Sequence, residues 1–312
     1  YLFGIYYKKL TLINRLLKDW SDKYIFIKGI NISHYCYNMQ LGVRTAGDFD
    51  ILTDPLTAEE IFSHLQNIGL QKDYQTCNRD DYNKTYMHHL TPLYSNNGRV
   101  YIEIHHRLNL SFDSYIPNTT DMITRKRIID INGESIPINS LEDCMYVVCY
   151  NMYMDQHYIH SYSLKPYASI IALTKKVDFN KLLSIVTTDK CIFPVSYALY
   201  CADYLYKFMT GNYLLTDKIK KDFCFDEFHD QFNYIRHHMA FSNDILGKWG
   251  SEFPLEDRVF MQALSLNPKA QAFFDHKIAQ YFFRQHWVTA VNKLPDGYFD
   301  IYSHWEYVDP II

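Results

Sequence analysis

The pattern of apolar and polar positions divides the chain into a first part with strands and helices and a second part with helices alone. Apolar residues at helical spacing over Leu10–Trp20 predict a leading helix. The β-rich run Tyr24–Ile27 predicts a short strand that stops at Lys28-Gly29, and a second helical segment follows to about Met39. The chain is therefore expected to open with a helix and then a strand–turn–helix unit.

The next segments continue this alternation. Polar and apolar residues alternate over Asp48–Leu52, which predicts a strand with its two acidic residues on one face. Thr57, followed three residues later by Glu60, has the spacing of a capping box and predicts the start of a helix that runs to Ile68. Gly69 follows as the expected C-terminal cap of that helix.

Two pairs of strand-like segments, each joined by a turn rich in Asn and Gly, predict two hairpins. The pairs are Met87–Tyr94 with Arg99–Leu108, and Ile128–Ile131 with Glu134–Ile138. Their turns are Ser95-Asn96-Asn97-Gly98 and Asn132-Gly133.

Beyond Ser140, which begins a second capping box, the strand pattern ends and aromatic-rich helical patterns dominate. The predicted helices are Glu142–Asp155, Lys165–Thr174, Phe179–Val186, Val195–Phe208, Phe225–Met239 and Pro268–Arg284. We therefore predict an α+β chain, with an α/β domain over residues 1–140 and a helical domain over residues 141–312.

Composition narrows the class of protein. The chain has 312 residues, of which 48% are hydrophobic and 21% charged, so it can form a large core. Its net charge of −4 argues against bulk binding to nucleic acid or to an anionic membrane. No apolar run reaches the length of a membrane span, and the seven cysteines form no Cys-x-x-Cys pair. These features predict reduced thiols and a cytoplasmic location.

Four polar residues on two predicted strands have the spacing of a metal site. Alternation puts Asp48 and Asp50 on one face, where like charges repel unless a divalent cation lies between them. Glu103 and His105 share a face of another strand, so Glu103 adds a third carboxylate if the two strands are neighbours. Three carboxylates suit Mg²⁺, which shares oxygen ligands with substrate phosphates. The alternative is that Asp-x-Asp marks a strand end and that Glu103 and His105 form a solvent face.

Two further features suit a phosphate-bearing substrate. Lys28-Gly29 lies between a strand and a helix, where a glycine allows close approach of the backbone and the helix N-terminus favours anions. The spacing of a Walker A loop is absent. Arg44 lies four residues before Asp48 and can present a guanidinium to a polyphosphate.

Taken in order, these motifs resemble the uncharacterised nucleotidyltransferase family of the polymerase-β-like superfamily. The resemblance rests on Ile27-Lys28-Gly29, Gly42-Val43-Arg44, Gly47-Asp48-Phe49-Asp50-Ile51-Leu52, Ala58 to Leu70 and Glu103-Ile104-His105. It covers residues 20–110 strongly and continues more loosely into the helical half. The resemblance implies a small mixed β-sheet core with flanking helices.

It also implies a Mg²⁺-dependent transfer of a nucleoside monophosphate from an NTP, ATP being favoured, to a hydroxyl-type acceptor. Asp48, Asp50 and Glu103 would be the catalytic metal ligands for two Mg²⁺ ions, with Mn²⁺ as the alternative. Glu103 would double as a base or orient the acceptor. Lys28, Gly29, Arg44 and His105 would bind the nucleotide. The candidate acceptors are a small molecule, a peptide and a protein side chain.

The chain departs from the family pattern at two positions. His106 stands where this branch often carries Trp, and Ser169 stands where members often carry Asp, about a dozen residues after His157. These departures motivate a second hypothesis, a catalytically silent module that binds nucleotide or regulates a partner. A third hypothesis, a purely structural protein, predicts that Asp48 and Glu103 lie on different surfaces.

Other patterns are given structural interpretations. The pairs His88-His89 and His105-His106 suggest zinc, but adjacent side chains on a strand point apart and cannot bind one ion together. Arg125-Lys126-Arg127 is expected to be a solvated face, or at most a contact for an anionic acceptor. A stripe of tyrosines at helical spacing is expected to be core first and an acceptor-stacking wall second. The stripe consists of Tyr146, Tyr150, Tyr153, Tyr197, Tyr200 and Tyr204.

Overall fold

The computed structural model describes residues 2–37, 48–73, 80–95, 100–111, 113–155 and 165–238. Its strands form one mixed sheet in the order β3-β4-β5-β2-β1-β7-β6. They are β1 (Tyr24–Phe26), β2 (Phe49–Thr53), β3 (Gln71–Lys72), β4 (Leu93–Tyr94), β5 (Tyr101–His105), β6 (Arg127–Ile131) and β7 (Glu134–Ile138). The predicted α+β architecture with a mixed sheet and flanking helices is confirmed.

Helices flank the sheet and make up the rest of the described chain. In the first part they are α1 (Leu2–Leu16), α2 (Gly29–Tyr37), α3 (Pro55–Asn67), α4 (Asp80–Tyr86) and α5 (Thr119–Thr124). After the last strand they are α6 (Leu141–Met154), α7 (Lys165–Thr174), α8 (Phe179–Thr188), α9 (Ile192–Thr210), α10 (Asp217–Asp222) and α11 (Phe225–His238). The helix predicted over Pro268–Arg284 lies outside the described residues.

The centre of the sheet is formed by β1, β2 and β5. Strand β1 pairs antiparallel with β2, and β2 pairs parallel with β5 in the register Asp50↔Glu103 and Leu52↔His105. Every residue of β2 is buried, since the strand is central and both of its faces are covered. This strand therefore carries its acidic residue into the interior instead of presenting it on an open face.

The second predicted hairpin is confirmed. Strands β6 and β7 pair antiparallel from Ile131↔Glu134 to Arg127↔Ile138. Asn132 and Gly133 have φ values of 54° and 81°, the left-handed backbone that a two-residue hairpin turn requires at both positions.

The first predicted hairpin is shorter than expected. Only Leu93–Tyr94 of the segment Met87–Tyr94 is a strand, because Pro92 has no N–H to donate to a sheet. The backbone N–H of Ser95 donates to the carbonyl oxygen of Val100 at 3.0 Å, across a turn whose tip lies outside the described residues. A separate antiparallel bridge joins His89 to His105 and brings the Met87–Tyr94 segment against the end of β5.

Helix α3 begins earlier than the capping box predicted. Its N-cap is Asp54, whose carboxylate accepts a hydrogen bond from the backbone N–H of Thr57 at 3.0 Å. The Thr57–Glu60 assignment is wrong because Pro55 suits the first helical position: its fixed φ matches a helix and it has no N–H to leave unpaired. Gly69 follows the helix with φ +103°, as expected of a C-terminal glycine.

The helical half begins at the predicted cap and buries most of the tyrosine stripe. Ser140 Oγ accepts a hydrogen bond from the backbone N–H of Asp143 at 3.1 Å. The interpretation of the stripe as core is confirmed for its first part, while Tyr204 is 40% exposed. The fully or almost fully buried members are Tyr146, Tyr150, Tyr153 and Tyr197.

Hydrogen bonds hold α2 against the junction between β7 and α6. The backbone N–H of Asn139 donates to Asn31 Oδ1 at 2.9 Å, and the Tyr35 hydroxyl donates to the carbonyl oxygen of Asn139 at 2.6 Å. These two bonds hold helix α2, which follows β1, in a fixed position relative to the start of the helical half. The domain boundary at residue 140 stays a prediction.

The expectation that Arg125 belongs to a solvated face is wrong. Its guanidinium donates to both carboxylate oxygens of Asp143, at 2.7 and 3.0 Å, and Asp143 is fully buried. A buried carboxylate needs a charged partner, so Arg125 serves the start of α6 and is not free to hold an acceptor.

Candidate active site

The parallel pairing of β2 with β5 brings two of the predicted carboxylates together. Asp50 lies directly opposite Glu103 in the register of the two strands, so the condition that the strands be neighbours is met. Asp50 is 4% exposed and Glu103 keeps a side chain that is 19% exposed. One edge of this acidic pair therefore remains open to a ligand.

His105 completes a group of three potential metal ligands. Its Nε2 atom lies 2.9 Å from Asp50 Oδ1 and 3.5 Å from Glu103 Oε2. One ligand atom from each of the three side chains lies within 4.8 Å of the other two. In the described part of the chain, this is the group of three or more His, Cys, Asp or Glu side chains close enough together to hold one metal ion.

The ammonium of Lys28 lies among the same three side chains. Its Nζ donates to Asp50 Oδ1 at 2.6 Å, lies 3.3 Å from His105 Nε2 and lies 3.8 Å from Glu103 Oε2. The backbone at Lys28 has φ 57°, which is uncommon for a residue with a side chain and turns the chain from β1 into α2. An internal cation therefore occupies the position that all three candidate ligands face.

The electrostatics of the cluster agree with this arrangement. Burial alone would lower the pKa of Lys28, but the charges of Asp50 and Glu103 raise it above its ordinary value, so Lys28 stays an ammonium. Burial alone would raise the pKa of Glu103, yet its histidine and lysine neighbours hold it well below its usual range. Glu103 is therefore an ionised carboxylate in the neutral pH range.

Asp48 lies at the edge of this group. Repulsion by Asp50, followed by burial and the charge of Glu103, raises the pKa of Asp48 to about 7. The charges of Asp50 and Glu103 thus act on Asp48, which argues against the structural-protein hypothesis that Asp48 and Glu103 lie on different surfaces. Asp48 is half-buried and precedes β2 by one residue.

Histidines from two segments pack together beside the carboxylates. The ring of His88 stacks on His105 with centroids 5.1 Å apart, and the ring of His89 meets His105 at 5.5 Å and an angle of 69°. Burial lowers the pKa of His88 well below its usual range and that of His106 to about 4, so these rings are neutral. Sequence reasoning treated each pair alone and missed this contact, which the His89–His105 bridge creates.

The end of α6 brings a fourth carboxylate towards the cluster. Burial raises the pKa of Asp155 to about 6, and the charge of Lys28 partly opposes the rise. Asp155 is half-buried and immediately follows the last residue of α6. Sequence reasoning missed it because nothing in the local pattern relates the end of this helix to the turn at Lys28.

Of the other residues singled out in the sequence, the structure describes Gly29 but not Arg44 or His157. Gly29 is the first residue of α2, and its carbonyl oxygen accepts a hydrogen bond from Ser33 Oγ at 2.9 Å. The left-handed backbone falls on Lys28 and not on the glycine. Arg44 and His157 lie outside the described residues.

A comparison with models of protein families gives a match. A model of a protein family, described as an uncharacterised nucleotidyltransferase, matches residues 5–207, which is more than half of the chain. No curated protein and no solved structure matches the chain. No helix in the described part of the chain is both long enough and apolar enough to cross a membrane.

Proposed function

The chain belongs to the uncharacterised nucleotidyltransferase family, and from that premise we propose that it transfers a nucleoside monophosphate from an NTP to an acceptor hydroxyl. Family membership makes the protein a transferase of phosphorus-containing groups. The donor we favour is ATP, the cofactor is Mg²⁺ or a similar divalent cation, and the location is the cytoplasm. The observation that carries the proposal is the gathering of Asp50, Glu103 and His105 around one cation position.

The residues present fit a divalent cation. Asp50 and Glu103 offer ionisable oxygens, and the Lys28 ammonium already stands between them as a cation of this chain's own. Carboxylate oxygens are the ligands that Mg²⁺ takes in proteins. Asp50, Glu103 and the adjacent Asp48 would therefore hold the metal, as the family resemblance implies.

In this proposal each side chain has a role in the transfer. The acceptor oxygen forms a bond to the α-phosphorus, the bond from that phosphorus to the bridging oxygen breaks, and pyrophosphate leaves with the bonding pair. Bound divalent cations would supply charge stabilisation at the attacking and leaving oxygens. Lys28 moves from the carboxylates to the triphosphate, and Glu103 accepts the hydroxyl proton or orients the acceptor. Gly29 at the start of α2 presents backbone N–H groups to the phosphates, and Arg44 neutralises the triphosphate.

One observation favours a second candidate function. The Lys28 ammonium contacts both Asp50 and Glu103 and offsets one of their negative charges, so part of the site's charge is compensated by the chain itself, which suits a nucleotide-binding module without turnover. The departures at His106 and Ser169 point the same way. Incubation with each labelled NTP and a cell extract separates the two functions, because release of pyrophosphate with a labelled product eliminates the silent module.

The proposal is tested by removing one ligand charge at a time. In Asp50→Asn and Glu103→Gln, calorimetry should detect no Mg²⁺-dependent binding of ATP, whereas the control Asp22→Asn, at a side chain that is 98% exposed, should bind as the wild type does. A thermal melt of each variant distinguishes lost binding from lost folding. Unchanged affinity in both folded variants would overturn the assignment of the site.

A further inference from the structure

The imidazole of His105 points to a metal preference that the carboxylates alone do not have. We infer that His105 Nε2 is a direct metal ligand together with Asp50 and Glu103, and that the site therefore takes Mn²⁺ in preference to Mg²⁺. This inference rests on the proposed function, because it concerns the cation of the same site. It replaces the nucleotide-binding role that the sequence suggested for His105.

The first argument is the spacing of the ligand atoms. Neighbouring ligands of one octahedral cation lie roughly 3 Å apart when each is about 2.0–2.2 Å from the metal. His105 Nε2 lies 2.9 Å from Asp50 Oδ1 and 3.5 Å from Glu103 Oε2. The nitrogen thus lies at that spacing from Asp50, with which it also makes a hydrogen bond, and somewhat beyond it from Glu103.

The second argument is the position of the Lys28 ammonium. It lies 3.3 Å from His105 Nε2 and also contacts both carboxylates, so a cation that replaces it meets the nitrogen as well as the oxygens. His105 is fully buried and cannot turn into solvent to avoid that cation. Displacement of the ammonium therefore leaves a donor set with one nitrogen and two oxygens.

The third argument is how the imidazole is held. His105 Nδ1 is buried and has no hydrogen-bond partner within the described part of the chain. The rings of His88 and His89 pack on its faces and edge, and Nε2 lies within hydrogen-bonding distance of Asp50 Oδ1, so packing and this contact together set its orientation. Nε2 is the ring atom that this packing directs at the carboxylates.

Ligand chemistry then decides which cation the site prefers. Mg²⁺ takes oxygen ligands and holds its water tightly, whereas Mn²⁺ accepts imidazole nitrogen alongside carboxylates. In the Irving–Williams order the later divalent metals bind such sites more tightly still. A site with a buried imidazole ligand consequently discriminates against Mg²⁺.

The experiment uses the full chain with Mn²⁺ as a spectroscopic probe. Pulsed electron paramagnetic resonance of the Mn²⁺ complex should show coupling to a ¹⁴N nucleus, and labelling the wild-type protein with ¹⁵N-histidine should convert that coupling to the ¹⁵N pattern. His105→Gln, which offers an oxygen in place of Nε2, should lose the coupling. Its preference for Mn²⁺ over Mg²⁺, measured by calorimetry, should fall by about tenfold or more.

Two matched substitutions serve as controls. His64→Gln removes a ring that packs on Trp20, and His34→Gln removes a ring that packs on Tyr35, both outside the ligand group. Both should keep the nitrogen coupling.

The outcomes separate this inference from the proposed function. If both metals bind but the wild type shows no histidine nitrogen coupling, or if the coupling persists in His105→Gln, His105 is not a ligand and the proposed function stands. If neither metal binds the folded wild-type protein, with or without ATP, the proposed function fails as well. The ¹⁵N-histidine measurement needs no variant, so a misfolded His105→Gln does not leave the inference untested.

Discussion

Replacing Lys28 with methionine tests whether its ammonium holds the place of a bound cation. Methionine keeps an unbranched apolar stem of similar length and removes the charge that contacts Asp50 at 2.6 Å and Glu103 at 3.8 Å. A divalent cation then no longer has to displace an ammonium. We expect Lys28→Met to bind metal more tightly than the wild-type protein does.

The magnitude follows from the contacts that the ammonium makes. A hydrogen bond to a charged group contributes about 1.5–3 kcal/mol, and the Lys28 side chain is 29% exposed, so solvent weakens the longer contact to Glu103. If a metal ion must break contacts of the Lys28 ammonium that contribute about 1.5–3 kcal/mol, metal affinity is lower by about 10- to 150-fold, and removing the ammonium should raise the affinity by that factor. Without metal the variant should unfold more easily by about the same free energy, because the carboxylates lose their partner.

The assay is calorimetry of metal alone and then of ATP in the presence of metal. Metal affinity should rise in Lys28→Met, while affinity for ATP should fall because the lysine that contacts the triphosphate is gone. Lys28→Arg keeps the positive charge and should show neither the rise in metal affinity nor the fall in ATP affinity. Lys23→Met, at an exposed position before β1, should match the wild type. Equal or weaker metal binding by a folded Lys28→Met would refute the reasoning.

Three further variants probe buried polar groups. Tyr150→Phe removes a hydroxyl that lies 2.5 Å from a carboxylate oxygen of buried Asp113, and chemical denaturation should show a loss of about 1–3 kcal/mol. Arg125→Met leaves the carboxylate of Asp143 buried and unpaired, and the free energy of unfolding should fall by about 2–4 kcal/mol. Asp155→Asn should stabilise the protein by about 1–3 kcal/mol above pH 6 and leave it unchanged below about pH 4.

The sign of the last prediction follows from proton binding. Burial raises the folded pKa of Asp155 to about 6, so the folded state binds the proton more tightly than the unfolded state does. Stability therefore falls as the pH rises from about 4 to 6, and the full cost of the buried charge persists above that range. Asparagine carries no charge and avoids the cost. A stability difference that does not vary with pH would contradict this account.

Each of the other two predictions has its own control. Tyr204→Phe, at a residue that is 40% exposed, should leave stability within about 0.5 kcal/mol of the wild type. Arg125→Lys keeps the charge but loses the two-pronged contact, and should fall between the wild type and Arg125→Met. If Tyr150→Phe proves neutral, the Asp113 contact contributes nothing to folding.

Features determined by neighbouring residues were predicted well. The turn at Asn132-Gly133 and the cap at Ser140 depend on a few adjacent residues, and both are present as expected. The cap assigned to Thr57 failed within the same range of sequence, because Pro55 in the first turn makes Asp54 the better cap. Two residues close together in the sequence, Asp54 and Thr57, could each cap the helix, and the capping pattern alone does not say which of them does.

The candidate site depends on contacts between distant segments. Alternation along the chain put Asp48 and Asp50 on one face, but their approach to Glu103 was conditional on two strands being neighbours, which the parallel pairing of β2 and β5 decides. Residues 28, 50 and 105 are far apart in the chain, and no periodicity places the Lys28 ammonium between the other two side chains.

The sequence by itself therefore determined the α+β class, the ordered motifs that indicate the family, and the residues able to supply charge. Only the tertiary structure decided which of those charges meet. Strand pairing brings Lys28 to Asp50 and Glu103 and His89 to His105, and the end of α6 brings Asp155 within range of the Lys28 charge. Electrostatic energies depend on distance in space and on burial, and neither quantity is a function of separation along the chain.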